Sequence, residues 1–395
     1  MATSSSLRAF LVRHRRAAIA LPTTLASLVA GFWGATAALN LPSPLSLALL
    51  SNTPPSQQGT LFAARTVSAS DKPAPLREAT VALPDTVPWK DGRKGTRQFL
   101  TDTHANAFRI LRDGNLAYEW YRDGVDARTR HASWSTAKSV VSLMIGQSIA
   151  AGRLSEDDLL VDLLPELKTG GDYDKITVGH LLDMSSGIDV SEDYSGLPLT
   201  GTPRMYLTTD LPEFIKDHRD LRFTPGSKSE YRSVDTQLLG LVLSRVEGRT
   251  VAALAQERIW QPMGAEDDAT WNLDSEGGTE KSFCCLNATA RDFAKIGQLV
   301  LDNGMAGDCQ IVPQAWIDRL STPAVTMADG WRYSAQWWHP SGATDDFSAI
   351  GVYGQYIYVN PANRTVIVKL SDHGTEQDEQ ETIDAMRDLA RSLRD

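Results

Sequence analysis

Ser135-Thr136-Ala137-Lys138 places a hydroxyl three residues before an amine. On a helix that spacing sets both side chains on one face, a turn apart. A serine hydroxyl is a poor nucleophile until a base takes its proton. A lysine kept from water gives up its charge more readily and can act as that base. The residues that follow, including Val140, Val141, Leu143, Met144, Ile145, Ile149 and Ala150, are small and apolar. They predict a buried helix over 135–151. Backbone N–H groups left free at its start, next to Ser135, could receive an oxyanion. S-x-x-K alone recurs by chance in a chain this long. A lysine inside an uncharged, buried helix is costly unless it has a task. The competing reading is a Lys138 that snorkels at the helix edge, and on this motif alone the two balance.

Further segments tip the balance: Thr177-Val178-Gly179-His180-Leu181-Leu182-Asp183-Met184-Ser185-Ser186-Gly187, Tyr231-Arg232-Ser233-Val234-Asp235-Thr236-Gln237-Leu238-Leu239-Gly240, Asn287-Ala288-Thr289-Ala290-Arg291-Asp292 and Gly351-Val352-Tyr353-Gly354-Gln355. With this set, residues 100–395 resemble the serine β-lactamase and penicillin-binding-protein superfamily. The likeness is to its class C-like and esterase branch, and is greatest to the hydrolases of 6-aminohexanoate oligomers. The resemblance implies an acyl-enzyme on Ser135, with a small amide or ester as substrate and no cofactor. It implies that Tyr231, in a Y-x-S motif, points its phenol at Ser135 and exchanges protons with the leaving group, Lys138 lowering the phenol's pKa. Ser233 would hydrogen-bond beside it. The oxyanion would sit between the backbone N–H groups of Ser135 and Val352, with Gly351 and Tyr353 in the substrate site. Tyr194 and Trp338 stand where the oligomer hydrolases cover their substrate with aromatic rings, although simple packing accounts for both at least as well.

The sequence departs from the lactamases at their third motif, a Lys or His, then Thr or Ser, then Gly, whose cation holds the substrate carboxylate. The matching triplet is Ala349-Ile350-Gly351, without a cation. That favours an amide or ester lacking this requirement over a penicillin. A class C-like β-lactamase or D,D-peptidase is the nearest alternative. An α/β-hydrolase is disfavoured, because no G-x-S-x-G elbow occurs. A non-catalytic, membrane-tethered binding module is the rival from another class, and Ser135, Lys138 and Tyr231 together speak against it. His180 reads as structural; His373 is left open.

The elements that must position these residues can be read in outline. Asp113-Gly114 between Ala107–Leu111 and Leu116–Tyr121 predicts a β-hairpin. The pattern from 152 to 300 is helical with long loops. Ala349–Asn360 and Thr365–Leu370 are β-rich and separated by Pro361-Ala362-Asn363, and an amphipathic helix is predicted over 377–394. The class expected is α+β: an antiparallel sheet flanked by helices, built from 96–150 and 286–395, with an inserted, mostly helical lobe over 151–285. Residues 40–95, punctuated by Pro42, Pro44, Pro54, Pro55, Pro73 and Pro75, read as a linker or extended wrap, and the chain up to about 80 as lying outside the fold.

Composition sets the outer limits. Apolar residues at 42% and charged residues at 22% describe a soluble globular chain. A net charge of −10 argues against a nucleic-acid partner. Arg8, Arg13, Arg15 and Arg16 precede an uncharged stretch from Ala17 to Ala64. Residues 1–39 therefore read either as a cleaved export signal, with Ala35-Thr36-Ala37 at the cut, or as a membrane tether through residues 17–39; a transit peptide is a weaker third option. The first two place the body in the periplasm or outside the cell. Cys284, Cys285 and Cys309 lack zinc-ligand spacing, so no metal is expected. Buried free thiols are the preferred reading, a bond from the adjacent pair to Cys309 the alternative.

Overall fold

A computed structural model describes residues 30–393 apart from 196–198, 343 and 375–377. Most of the proposed export segment therefore lies outside the described residues; 30–38 is helical. Among the described residues no helix is long and apolar enough to cross a membrane.

The expected α+β arrangement is present. An eight-stranded antiparallel sheet runs in spatial order Val325–Thr326, Arg332–Ser334, Trp337–His339, Phe347–Gly351, Gln355–Asn360, Thr365–Ser371, Ala105–Arg112 and Asn115–Tyr121. Strands far apart in the sequence thus meet toward one edge, where Thr365–Ser371 pairs with Ala105–Arg112. The hairpin at Asp113-Gly114 has both residues at positive φ, the conformation a tight turn needs to match strand twist. One face of the sheet packs on the helices Thr96–Asp102 and Glu379–Ser392. The other face takes the helix Ala290–Leu301. Gly297 permits that approach: a Cβ there would lie 2.4 Å from Val366 Cγ1 and 3.0 Å from Ile357 Cγ2. The apolar helix forms as expected, but only from Ala137 to Ala150, and it is buried almost throughout. Ser135 belongs instead to a preceding 3-10 turn, Trp134–Thr136.

A second, four-stranded sheet, ordered Ala64–Val67, Ala269–Asn272, Leu286–Thr289 and Arg130–Ala132, feeds directly into that turn. Its first strand corrects the expectation that the chain up to about 80 lies outside the fold. Ala64–Val67 pairs along its length with Ala269–Asn272, and Val67 is fully buried. Pro44–Asn52 is a helix, and Thr86–Trp89 pairs with Gly92–Gly95. The prolines misled because Pro44 and Pro55 stand at helix starts, where the N–H that proline lacks has no partner to lose.

Two further expectations change. The β-rich run 349–360 breaks into two strands at Val352–Gly354, with Tyr353 and Gly354 at positive φ. The cysteines are not buried free thiols: Cys284 and Cys285 are bonded to each other, and Cys309 is exposed. Both residues of the pair are buried as read; what changes is that their thiols are not free.

Candidate active site

Between Arg130–Ala132 and the buried helix the chain turns sharply, with Trp134 at φ 47°. Non-glycine residues occupy that region only where the surroundings hold them. Here the hold is visible. Ser133 N donates to Leu286 O at 2.8 Å, Leu286 N donates to Ser133 Oγ at 3.1 Å, and Thr136 Oγ1 donates to Ser133 O at 2.9 Å. Ser135 is left as the one residue of 131–140 that is not buried.

Lys138 Nζ lies 2.9 Å from Ser135 Oγ and donates to the carbonyl of Phe283 at 2.7 Å. The side chain is 1% exposed, so the snorkelling alternative fails. Burial, opposed by the negative charges of Glu192 and Asp235, brings the amine's pKa down to about 7. Near neutrality a large share of Lys138 is uncharged and able to accept a proton. The Phe283 carbonyl takes one N–H and leaves the lone pair free to face Ser135.

Tyr231 comes from the segment just before the helix Ser233–Glu247, and it lines the same cavity as Ser135. Its ring stacks on Trp338 (centroids 5.3 Å apart, 25° between planes), meets Tyr333 edge-on and lies 5.1 Å from Lys138 Nζ. The expectation that Lys138 lowers the phenol's pKa is overturned. Desolvation of the hydroxyl pushes it well above the usual tyrosine value, and Glu192 pushes the same way. A half-neutral lysine cannot offset that, so desolvation favours the protonated phenol.

Gly351 ends its strand directly against the nucleophile turn. A Cβ there would fall 2.8 Å from Ser133 O and 3.0 Å from Ser135 N. The close approach brings the following residue, Val352, into the same cavity as Ser135. That cavity, of about 640 Å³, also takes in Tyr231, Tyr194, Trp331, Trp338, Ile350 and Tyr353. Tyr194, Trp338 and Tyr353 thus stand at the site as expected. Ser233 and Gly351 do not line it. Ser233 is fully buried and held by Glu192, and Gly351 is covered by the turn. Ala349 is buried on the side away from the cavity, where Ile350 stands instead.

Several lining residues were not singled out from the sequence. Glu192, Asp193, Asp329, Asp378, Glu379 and Glu381 contribute carboxylates, and among the described residues no Lys or Arg lines the cavity. His373, left open before, also lines it, with Nε2 2.5 Å from Asp378 Oδ2. Their sequence positions carry no spacing signal, since segments far apart in the chain bring them together. His180 is structural as read: its Nδ1 accepts from Thr177 N in a helix cap. Asp235, buried and bonded to Ser186 Oγ, has its pKa pushed up to about 8 by desolvation. Among the described residues no group of acids, histidines or cysteines is arranged to hold a metal ion.

With this geometry in place, the likeness to known proteins can be weighed. The 6-aminohexanoate-dimer hydrolase of Paenarthrobacter ureafaciens is 31% identical over 297 residues, spanning 69% of this chain and 74% of that protein. Esterase EstB of Burkholderia gladioli is 30% identical over 147 residues, 34% of this chain and 36% of that protein. A solved Bacillus anthracis structure, assigned as a 6-aminohexanoate-dimer hydrolase, matches with a TM-score of 0.77 at 26% identity, covering 84% of this chain and 91% of that one. Residues 97–391 match the Beta-lactamase family. That match takes in every residue that lines the cavity, and the chain belongs to the beta-lactamase family and is a serine hydrolase of that superfamily.

Proposed function

We propose that the protein hydrolyses a linear amide or ester through an acyl-enzyme on Ser135, in the manner of a 6-aminohexanoate-dimer hydrolase. The observation that carries this is the 2.9 Å contact between Ser135 Oγ and a buried Lys138 whose pKa is about 7. Ser135 Oγ attacks the substrate carbonyl as its proton passes to Lys138. The tetrahedral oxyanion is received by the backbone N–H groups of Ser135 and Val352. Tyr231 gives its proton to the departing amine or alcohol and is reprotonated from Lys138. Water then attacks the acyl carbonyl as one of its protons passes to Lys138, and Ser135 Oγ leaves as it takes that proton back.

The cavity wall supports the substrate class. Trp331, Trp338 and Tyr194 offer apolar and aromatic surface to a flexible chain, while six carboxylates, with no Lys or Arg among the described lining residues, oppose the carboxylate that lactamases hold. Relatives that act on aminohexanoate dimers and on esters point the same way. Export of the body, with residues 17–39 as cleaved signal or tether, is supported by the arginines before an uncharged stretch; cell fractionation tests it.

In the decisive experiment Ser135→Ala stays folded but loses turnover of a para-nitrophenyl ester and labelling by a fluorophosphonate; undiminished turnover ends the assignment. In parallel, the linear 6-aminohexanoate dimer is turned over and a chromogenic cephalosporin is cleaved slowly or not at all. Rapid cephalosporin cleavage would mean that a cation reaches the substrate from elsewhere.

A further inference from the structure

Glu192 accepts four hydrogen bonds from three separate segments. Its Oε1 takes Ser233 N at 2.5 Å and Thr202 Oγ1 at 2.7 Å. Its Oε2 takes Ser233 Oγ at 3.2 Å and Tyr194 OH at 3.1 Å. Ser233 opens the helix Ser233–Glu247, and its N–H is one of those that a helix cannot satisfy internally. Arg232, in the capping position, offers no side-chain cap. Glu192 supplies one from outside, two residues after Tyr231. The same carboxylate holds Tyr194, which stands across the cavity mouth.

We propose that Glu192 is a positioning residue: its carboxylate locks the Tyr231–Ser233 segment to the loop bearing Tyr194 and keeps one negative charge within electrostatic reach of Lys138. The inference rests on the acyl-transfer reading of Ser135, Lys138 and Tyr231. Two consequences separate from one another. Geometrically, Glu192 fixes where Tyr231 presents its hydroxyl to Ser135, and it sets Tyr194 in the same act. Electrostatically, it favours the protonated form of Lys138, since its charge raises that amine's pKa against the larger effect of burial.

The groups around Lys138 make the second consequence testable. They are the Ser135 hydroxyl, the Tyr231 and Phe283 rings, the Phe283 carbonyl, and two carboxyls, Glu192 and Asp235. Asp235 does not obscure the acid limb, because its pKa near 8 leaves it largely protonated there. Removing the charge of Glu192 therefore lets Lys138 lose its proton at lower pH.

The test compares Glu192→Gln with Glu192→Ala in full-length protein, using kcat and KM for a para-nitrophenyl ester from about pH 5 to 9. Gln keeps an acceptor for Ser233 N and can donate to the hydroxyls. It should retain plateau kcat within roughly threefold while the acid limb of kcat/KM moves down by roughly 0.5–1 pH unit. Ala leaves Ser233 N unsatisfied, and kcat should fall roughly tenfold or more with a smaller change in KM. Wild-type kinetics in Glu192→Ala, or an unmoved acid limb in Glu192→Gln, overturns the proposal. If Glu192→Ala does not fold, the Gln profile decides alone. An inactive, unlabelled wild-type protein would instead be a failure of the acyl-transfer reading itself.

Discussion

In the proposed mechanism Ser135 loses its proton to a neutral Lys138, and burial brings that amine down to about 7. With the folded pKa below the free lysine value, the active form is depleted on the acid side. Thus kcat/KM should climb through about pH 7 to a plateau, and a pH–rate profile checks this. The donor role of Tyr231 gives a sharper expectation. Its phenol stays protonated because it is desolvated, so in the proposed mechanism its work is to protonate the leaving group. An amine must be protonated to leave, whereas para-nitrophenolate need not be. Tyr231→Phe should cost about 10²–10⁴-fold in kcat on a linear amide and markedly less on the activated ester. Equal losses on both substrates would mean that the ring only packs.

Elements decide whether these groups meet. The helix Ala137–Ala150 carries Lys138 a turn beyond Ser135, but the four-stranded sheet and the Ser133 hydrogen bonds hold the turn that presents Ser135. The strand Phe347–Gly351 then runs into that turn with no room for a side chain at its last residue. Gly351→Ala should push the Val352 backbone off the nucleophile. An oxyanion donor displaced in this way costs about 10²–10³ in kcat. Differential scanning calorimetry should show only a modest drop, on the order of 1–3 kcal/mol for the added methyl. Unchanged kcat in a folded Gly351→Ala protein would separate this strand from the chemistry.

Among the described residues four lysines are buried, Lys138, Lys281, Lys295 and Lys369, and burial brings Lys138, Lys281 and Lys369 each to about 7. Each does have hydrogen-bond partners: Lys281 donates to Tyr206 O, and Lys369 to Ser371 Oγ at 2.7 Å. In the unfolded chain a lysine holds its proton to about 10.4. Between these limits the unfolded state binds more protons, so stability rises with pH. Asp235, pushed up to about 8, acts in the opposite sense below that value and is spent above it. Melting temperature should therefore rise from about pH 8 to about pH 9.5, before ordinary tyrosines ionise. The rise should shrink in a Lys281→Met, Lys369→Met double variant; a flat or falling curve in the parent would contradict the burial argument.

The chain's own order determined the S-x-x-K pair, because a hydroxyl and an amine three residues apart need only one helical turn to meet. It likewise determined the hairpin at Asp113-Gly114 and the closing helix, whose signals are local conformation and a single period. Tertiary structure alone decided the rest. Glu192 is bound to Ser233 and Thr202 by folding, not by neighbourhood in sequence. The proline-rich 44–67 segment became helix and strand because Ala269–Asn272 needed a partner edge and because proline is tolerated at helix starts. The state of Tyr231 followed from desolvation, which depends on everything packed around a hydroxyl and so is not written in the residues beside it.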